Sequence, residues 1–162
     1  VMQDGVIFSE SIERNIAVDD SQVDHKRLEW AAHIACIHDH IMSLPLQYDT
    51  KIGRDGVGLS QGQRQRILIA RAVYKNPDFI FLDEATNSLD ANNERMIVEN
   101  LDEFYKGKTV VIVAHRLSTV KSADQIVVLD NGKVVETGNH KTLTSKRGAY
   151  YNLVKNQLEL GN

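Results

Sequence analysis

Cysteine is nearly absent from this chain, Cys36 being the only one. A lone thiol forms no internal disulfide, which excludes a disulfide-stapled secreted scaffold and suits a reducing compartment. Long apolar runs are also missing. The longest, residues 79–82 and 110–114, hold four to five residues, whereas a membrane-spanning helix takes about 20. The start shows neither the basic n-region nor the apolar h-region of a secretory signal. It shows no initiator methionine either, only Val1-Met2-Gln3, so a fragment of something longer is expected. Neither sign of charge dominates: 19 basic against 22 acidic side chains leave a net charge of -3. No strong field draws the chain to nucleic acid, and none is expected as a partner. Internal repeats, low-complexity tracts and linker-like stretches are absent. What is present is 162 residues with 42 % hydrophobic and 25 % charged side chains, the balance of a soluble globular domain able to bury a core.

The chain divides into two halves of different texture. Residues 9–59 are polar, helix-prone and rich in loops. Ser21 or Asp24 can cap a helix whose apolar positions Leu28, Ala31, Ala32 and Ala35 recur at helical spacing. Pro45 ends that region, and a glycine-studded loop, residues 52–58, follows. From residue 60 onward the pattern is α/β. Ser60-Gln61-Gly62-Gln63 reads as a capping box opening a helix that Pro77 stops after Asn76. Residues 79–82 and 109–114 read as short strands buried on both faces, joined by a helix with Ile97, Leu101 and Phe104 on one side and Asp90 as its cap. Strand, helix, strand makes a parallel crossover. Residues 126–129 and 134–137 read as a hairpin around Asn131-Gly132, which supply the positive φ angles of a tight turn. Tyr151, Val154 and Leu158 place a helix in the tail, with Tyr150 and Tyr151 docking it.

Ligand sites in such sheets lie beyond the carboxyl ends of the strands. Asp83 and Glu84 follow the first strand and His115 follows the second. Adjacent carboxylates there suit a hard cation held by one and a water activated by the other. A surface turn with two solvated acids accounts for the same pair. Upstream, the helix opening at Ser60 offers free N–H groups to an anion such as a γ-phosphate. Arg64, Arg71 and Lys75 recur along that helix, a stripe that by itself is an ordinary solvated face. Asp90 as a plain cap and His115 as a structural histidine are the corresponding bland readings. His33, Cys36, His38 and His40 cluster in sequence, but their spacing fits no common zinc site. Gly58-Leu59-Ser60-Gln61-Gly62 matches the Gly-x-Ser-x-Gly nucleophile elbow, with Asp83 and His115 in serine-hydrolase order. An elbow needs a strand before its first glycine, and residues 52–57, with Gly53, Arg54, Asp55 and Gly56, make none.

In order along the chain stand Gln3, Leu59-Ser60-Gln61-Gly62-Gln63, four apolar residues before Asp83-Glu84, Ser88-Leu89-Asp90 and Ala114-His115-Arg116-Leu117-Ser118. Jointly they resemble the nucleotide-binding domain of an ATP-binding cassette (ABC) transporter: Q-loop, signature, Walker B, D-loop and switch histidine. The resemblance covers essentially the whole chain. Gly62-Gln63-Arg64-Gln65-Arg66 and residues 115–120 are most similar to the exporter branch. Val6-Ile7-Phe8-Ser9 with Ile12 and Asn15-Ile16 resembles bacterial peptide, toxin or bacteriocin exporters. Implied by it is a P-loop NTPase-like (RecA-like) parallel sheet core, incomplete here, with an inserted α-helical subdomain at residues 9–59 and the catalytic core at 60–162. ATP and Mg²⁺ are the implied ligands. Gln3 would sense metal and γ-phosphate, and Asp83 would hold Mg²⁺ through water. Glu84 would polarise the attacking water, and His115 would contact the γ-phosphate. Ser60, Gly62 and Gln63 would form the signature face toward a nucleotide held by the opposite subunit, and Asp90 would link the two sites. The implied partners are a second nucleotide-binding domain, head to tail, and a transmembrane domain of the same or an associated chain, against which residues 53–58 would lie. The implied location is the cytoplasmic face of a bacterial inner membrane. Non-transport cassette ATPases and regulatory pseudo-ATPase modules share several of these motifs.

Two departures stand out. Position 61 is glutamine where the family has glycine, and a side chain pointing outward there would be tolerated. The other is the Walker A motif, which this sequence lacks. Gly107-Lys108-Thr109 comes nearest, but Asp102 stands five residues before Gly107 where glycine belongs, and Thr109 opens a strand where a P-loop opens a helix. The family's Walker A lies upstream of the Q-loop, so its expected place is before Val1. The missing segment would also supply a central strand, so an exposed sheet edge or apolar face is expected.

Overall fold

The computed structural model describes residues 1, 5–18, 20–83, 91–114 and 120–160. They form two compact units, Val1–Val113 and Ala114–Asn162.

The first unit sets helices over one face of a small parallel sheet. Strands β1 (Phe79–Asp83) and β2 (Thr109–Val113) pair in parallel, Phe79 level with Thr109 and Asp83 level with Val113. Helix α5 (Ala91–Phe104) joins them, and Ile97, Leu101 and Phe104 are buried at the expected helical spacing. Val1 lies along the other edge of β1. Its carbonyl accepts from the Asp83 N–H at 2.9 Å and its nitrogen donates to the Phe81 carbonyl, the bond pair of a parallel ladder.

Burial on both faces, expected from the continuous apolar runs, is not what the strands show. Ile80 and Leu82 enter the core, with Val110 and Ile112 packed against it. Phe79 and Phe81 are 68 % and 65 % exposed, and Val111 and Val113 about half exposed, because no described residue of this unit covers that face. The expected bare apolar face is therefore present.

Helices α1 (Ile12–Ile16) and α2 (His25–Ile34) pack on α4 (Gln61–Lys75), while α3 (His38–Met42) packs on α2 and on a 3₁₀ turn (Gln47–Asp49) that leans on α1. Asp24, rather than Ser21, caps α2 by accepting from the Arg27 N–H. Ala31, Ala32 and Ala35 are fully buried, and their small side chains let α2 approach α4 closely. Trp30 sits at the rim, edge-on to Phe104 with centroids 5.9 Å apart. Helix α4 stops at Asn76, whose left-handed backbone (φ 49°) satisfies the last turn just before Pro77. Buried Tyr74 donates to Asp20 Oδ2 at 2.7 Å and accepts from the Asp24 N–H, tying the foot of α4 to the start of α2. The basic stripe is not a uniform solvated face. Arg64 is exposed, but Arg71 is drawn inward and Lys75 donates to the Val18 carbonyl. Burial lowers the Arg71 pKa.

The histidine–cysteine segment folds around backbone contacts. His33 and His38 stack at 3.9 Å, His38 Nδ1 meets the Tyr48 hydroxyl at 2.9 Å, and Arg66 donates to the Cys36 carbonyl. Burial, with help from Glu29, pushes the Tyr48 hydroxyl up to about 12. Among the described residues no three His, Cys, Asp or Glu side chains converge as metal ligands.

In the second unit β3 (Ile126–Asp130) and β4 (Lys133–Gly138) form an antiparallel hairpin, and Asn131 (φ 48°) and Gly132 (φ 74°) make its turn. Helices α6 (His140–Lys146) and α7 (Ala149–Leu160) follow. Ile126, Val128, Leu143, Tyr150 and Val154 form the core of this unit. Tyr150, not Tyr151, is the aromatic that docks the tail: it is buried, and its N–H donates to Glu136 Oε2 at 2.7 Å.

The bare sheet face has a measurable consequence. At about 1.5–3 kcal/mol per apolar side chain brought out of water, the purified 162-residue chain is expected to self-associate. Changing both Phe79→Ser and Phe81→Ser should weaken that association about tenfold or more, read by sedimentation equilibrium. An unchanged monomer–oligomer balance would show that this face is not the sticky one.

Candidate phosphate-facing and metal-facing residues

Helix α4 begins with the predicted capping box. Ser60 Oγ accepts from the Gln63 N–H at 3.2 Å, and Gln63 Oε1 accepts from the Ser60 N–H at 2.9 Å. Of the four N–H groups a helix start leaves unpaired, the Gln63 N–H is thereby used. Those of Gln61 and Gly62 find no acceptor among the described residues. The Ser60 hydroxyl accepts from one N–H and keeps its own proton to donate. Ser60 and Gln61 are exposed, and no acid lies in the first turn. Fifteen residues of aligned peptide dipoles stand behind these donors, with Arg64 one turn on, so the arrangement fits an anionic oxygen. Gln61 projects into solvent, so the glutamine in place of the family's glycine obstructs nothing in this chain.

The same geometry removes the hydrolase reading. Ser60 has ordinary extended angles (φ -63°, ψ 161°) and its oxygen is engaged as a helix cap. The residues before it contain isolated bridges, Lys51 with Ser11 and Ile52 with Val57, not the strand that drives a nucleophile elbow.

Ser60 is held from behind. Leu59 packs against the core. Gly53, at φ 95°, lies so close to the strand-like segment before α1 that a Cβ there would stand 2.9 Å from the Phe8 carbonyl oxygen. Ile52 N–H donates to the Glu10 carbonyl and Ile12 N–H to the Thr50 carbonyl, each within 3.0 Å. The loop of residues 52–58 is therefore stitched to residues 8–12.

Asp83 ends β1 with an exposed side chain, level with Val113 at the end of β2. No described cation comes within ion-pair distance of it. An exposed carboxylate at a strand's carboxyl end fits a hard, partly hydrated cation such as Mg²⁺. The structure brings Ser60, Gly62 and Gln63 together at one helix end and sets Asp83 at a strand end. Gln3, Glu84, Asp90 and His115 lie outside the described residues, so their sequence roles carry over untested. The sequence reading placed Arg71 on a solvated stripe and Asn15 only in an exporter-like segment, and it missed their pairing. Asn15 is fully buried, and the only hint was an amide inside the apolar pattern of α1.

Comparison with known proteins gives the same family from three directions. A family model described as ABC transporter matches residues 1–87. An ATP-dependent lipid A-core flippase of Saccharophagus degradans is 49 % identical over 97 % of this chain and 27 % of that protein. A Staphylococcus aureus protein named for multidrug export, an ATP-binding/permease protein, is 48 % identical over 94 % of this chain and 26 % of its own length. The structure of a bacterial Atm1-family ABC exporter with ATP bound superposes with a TM-score of 0.90 at 38 % identity, covering 96 % of this chain and 28 % of that one. The chain thus spans about a quarter of the length of the curated relatives it matches.

The cap and the anion-facing donors can be separated. Gln63→Ala removes the acceptor for the Ser60 N–H and should cost about 1 kcal/mol in urea unfolding. Gln63→Glu keeps that acceptor and should change stability by less than about 0.5 kcal/mol. Equal losses in the two variants would show that the side-chain oxygen is not what holds the helix start.

Proposed function

Because this chain belongs to the ABC transporter family, we propose that it is the water-activating and partner-completing portion of an exporter's ATP-binding domain. The observation that carries the reading is the free helix start at Ser60 and Gly62. It is a set of backbone donors suited to an anion, with no acid in the helix's first turn, in a chain whose β1 ends at Asp83 and whose sequence continues with Glu84. Residues 9–59 are assigned as the helical signalling subdomain and 60–162 as the catalytic core.

The chemistry is hydrolysis of the γ-phosphate of ATP by in-line attack of water. Bound Mg²⁺ would neutralise charge on the phosphates, and Asp83 is the side chain placed to hold it through water. Glu84 orients and polarises the attacking water as general base. His115 steadies the γ-phosphate, and Gln3 reads its presence. The Ser60 hydroxyl and the N–H groups of Gln61 and Gly62 donate to the γ-phosphate held by a second, head-to-tail copy. These donors are already aimed, so no reorganisation is needed when charge develops. Gln63 acts through the cap that orients Ser60. Asp90 bridges the two sites, and residues 53–58 face the membrane domain. Such a domain works at the cytoplasmic face of a bacterial inner membrane. No helix among the described residues is long and apolar enough to cross a membrane; in this reading cargo selection is the work of the membrane domain.

In the intact protein Glu84→Gln should lower ATP turnover about 100-fold or more while ATP still binds, the loss expected when a general base is removed. The isolated chain, whose sequence carries no Walker A motif, should show no turnover at all. Turnover by the isolated chain that Glu84→Gln abolishes would overturn the second expectation, and full activity of Glu84→Gln in the intact protein would overturn the first.

A further inference from the structure

Residues 5–11 run as a strap from the neighbourhood of Gln3 to the start of α1, and they are fastened to α4 by a buried polar cluster. Asn15 is fully buried. Its Oδ1 accepts from the Phe8 N–H at 2.8 Å, and its Nδ2 donates to the carbonyls of Phe8 and Ser11, each at 3.0 Å. Arg71, reaching out from α4, donates Nε to the Asn15 carbonyl at 2.7 Å, Nη1 to the Val6 carbonyl at 3.0 Å and Nη2 to Asn15 Oδ1 at 3.2 Å. Its guanidinium carbon lies 5.1 Å from the centre of the Phe8 ring. No described carboxylate pairs with it. At the strap's beginning, a Cβ on Gly5 would stand 2.5 Å from Leu68 Cδ1, so the strap also lies flat on α4 one turn earlier.

A half-buried guanidinium without a counter-charge is a costly way to hold two segments together, since apolar packing does that without desolvating a cation. What the fork adds is direction. Three donors in one plane meet the Val6 carbonyl in the strap and the backbone carbonyl and Oδ1 of Asn15 in α1, the residue that itself holds Phe8 and Ser11, so the strap's position and orientation are fixed against α4. Arg71 lies about three helical turns from Ser60 on the same straight element. The strap therefore cannot shift without moving the helix start that bears Ser60, and the reverse holds.

We propose that Asn15 and Arg71 are positioning residues that couple the two nucleotide sites of the working dimer. The proposal rests on the reading above, in which Gln3 addresses the chain's own nucleotide and Ser60 the partner's. Strap and helix then move as one body, so occupation of one site sets the donors of the other. Rigid coupling of this kind yields cooperative use of ATP.

The test uses the intact protein with its membrane domains, in lipid nanodiscs, and compares Asn15→Asp, Arg71→Met and Arg71→Lys with the parent and with Glu84→Gln. Asn15→Asp keeps the acceptor for Phe8 and Arg71 but loses both amide donations. Arg71→Met keeps the aliphatic bulk and loses the fork. Both should lower kcat about tenfold and bring the Hill coefficient for ATP toward 1, with KM changed less than about twofold. Arg71→Lys should recover part of the cooperativity, and it serves as the readable variant if Arg71→Met fails to fold. Folded variants with lower melting temperatures but parental kcat and Hill coefficient would overturn the proposal, leaving the cluster a purely structural tie. Parental behaviour in every respect would overturn it too. If Glu84→Gln itself keeps full turnover, the functional reading falls, and the clasp falls with it. If Glu84→Gln is inactive while the clasp variants stay cooperative, only the clasp falls.

Discussion

A helix must begin somewhere, and where it begins its backbone donors have no partners. In this chain α4 solves that problem only halfway, and the rest of the structure depends on the half left open. The reciprocal bonds between Ser60 and Gln63 close the start firmly enough to fix its geometry. The Gln61 and Gly62 N–H groups find no acceptor among the described residues and stand beside a hydroxyl proton. Full satisfaction would have made an inert helix end, whereas none would have left a frayed one. A cap that consumes some donors and aims the others gives a rigid surface that recognises negatively charged oxygen without carrying a formal charge of its own.

The other end of the same helix, and its flank, explain why that surface stays in place. Tyr74 ties the foot of α4 to Asp20 and Asp24, Asn76 turns the chain out of it, and Arg71 clamps the strap of residues 5–11 along its side. The loop that leads into Ser60 is stitched to that strap through Ile52 and Glu10. The strap is thus distant in sequence from the loop and helix, yet mechanically continuous with them in space. The hydrophobic contacts beneath them, from Ile12 and Ile16 to Ile67 and Ile69, give the unit its stability. The polar ties give it orientation, which is what a site assembled from remote pieces needs.

How much of this could be read from the sequence follows from the range of the interactions involved. The capping box at Ser60, the stop at Asn76 and the Asn131-Gly132 turn were legible, and the cap of α2 was narrowed to Ser21 or Asp24, because each is decided within four or five residues by local backbone chemistry. Burial of β1 and β2 was misjudged. An apolar run reports how much a strand can bury, while what covers each face depends on the rest of the fold, and one face here has no cover among the described residues of its unit. The stripe of Arg64, Arg71 and Lys75 read as solvated because helical spacing says which side chains are neighbours and nothing about what lies opposite. Asn15 and Arg71 meet across fifty-six positions of chain, and no local pattern announces such a pairing. The family motifs are read differently: the roles proposed for Glu84 and His115 rest on their company in sequence, and both lie outside the described residues.

The strength of the Ser60 site also decides what kind of site it is. Capturing a ligand at micromolar affinity takes about 8 kcal/mol. Net hydrogen bonds contribute about 0.5–1.5 kcal/mol each, and somewhat more toward a charged group. Two backbone donors and one hydroxyl at a solvent-exposed helix end, even with about 0.3–1 kcal/mol from the helix dipole, fall well short. Such a surface is too weak to capture ATP from solution by itself and suits a phosphate that something else already holds. Under the function proposed above, that weakness suits a part which closes on a partner's nucleotide and must let go again. Were the site strong enough to bind alone, opening after hydrolysis in that proposed cycle would require breaking it, and the closed dimer would persist.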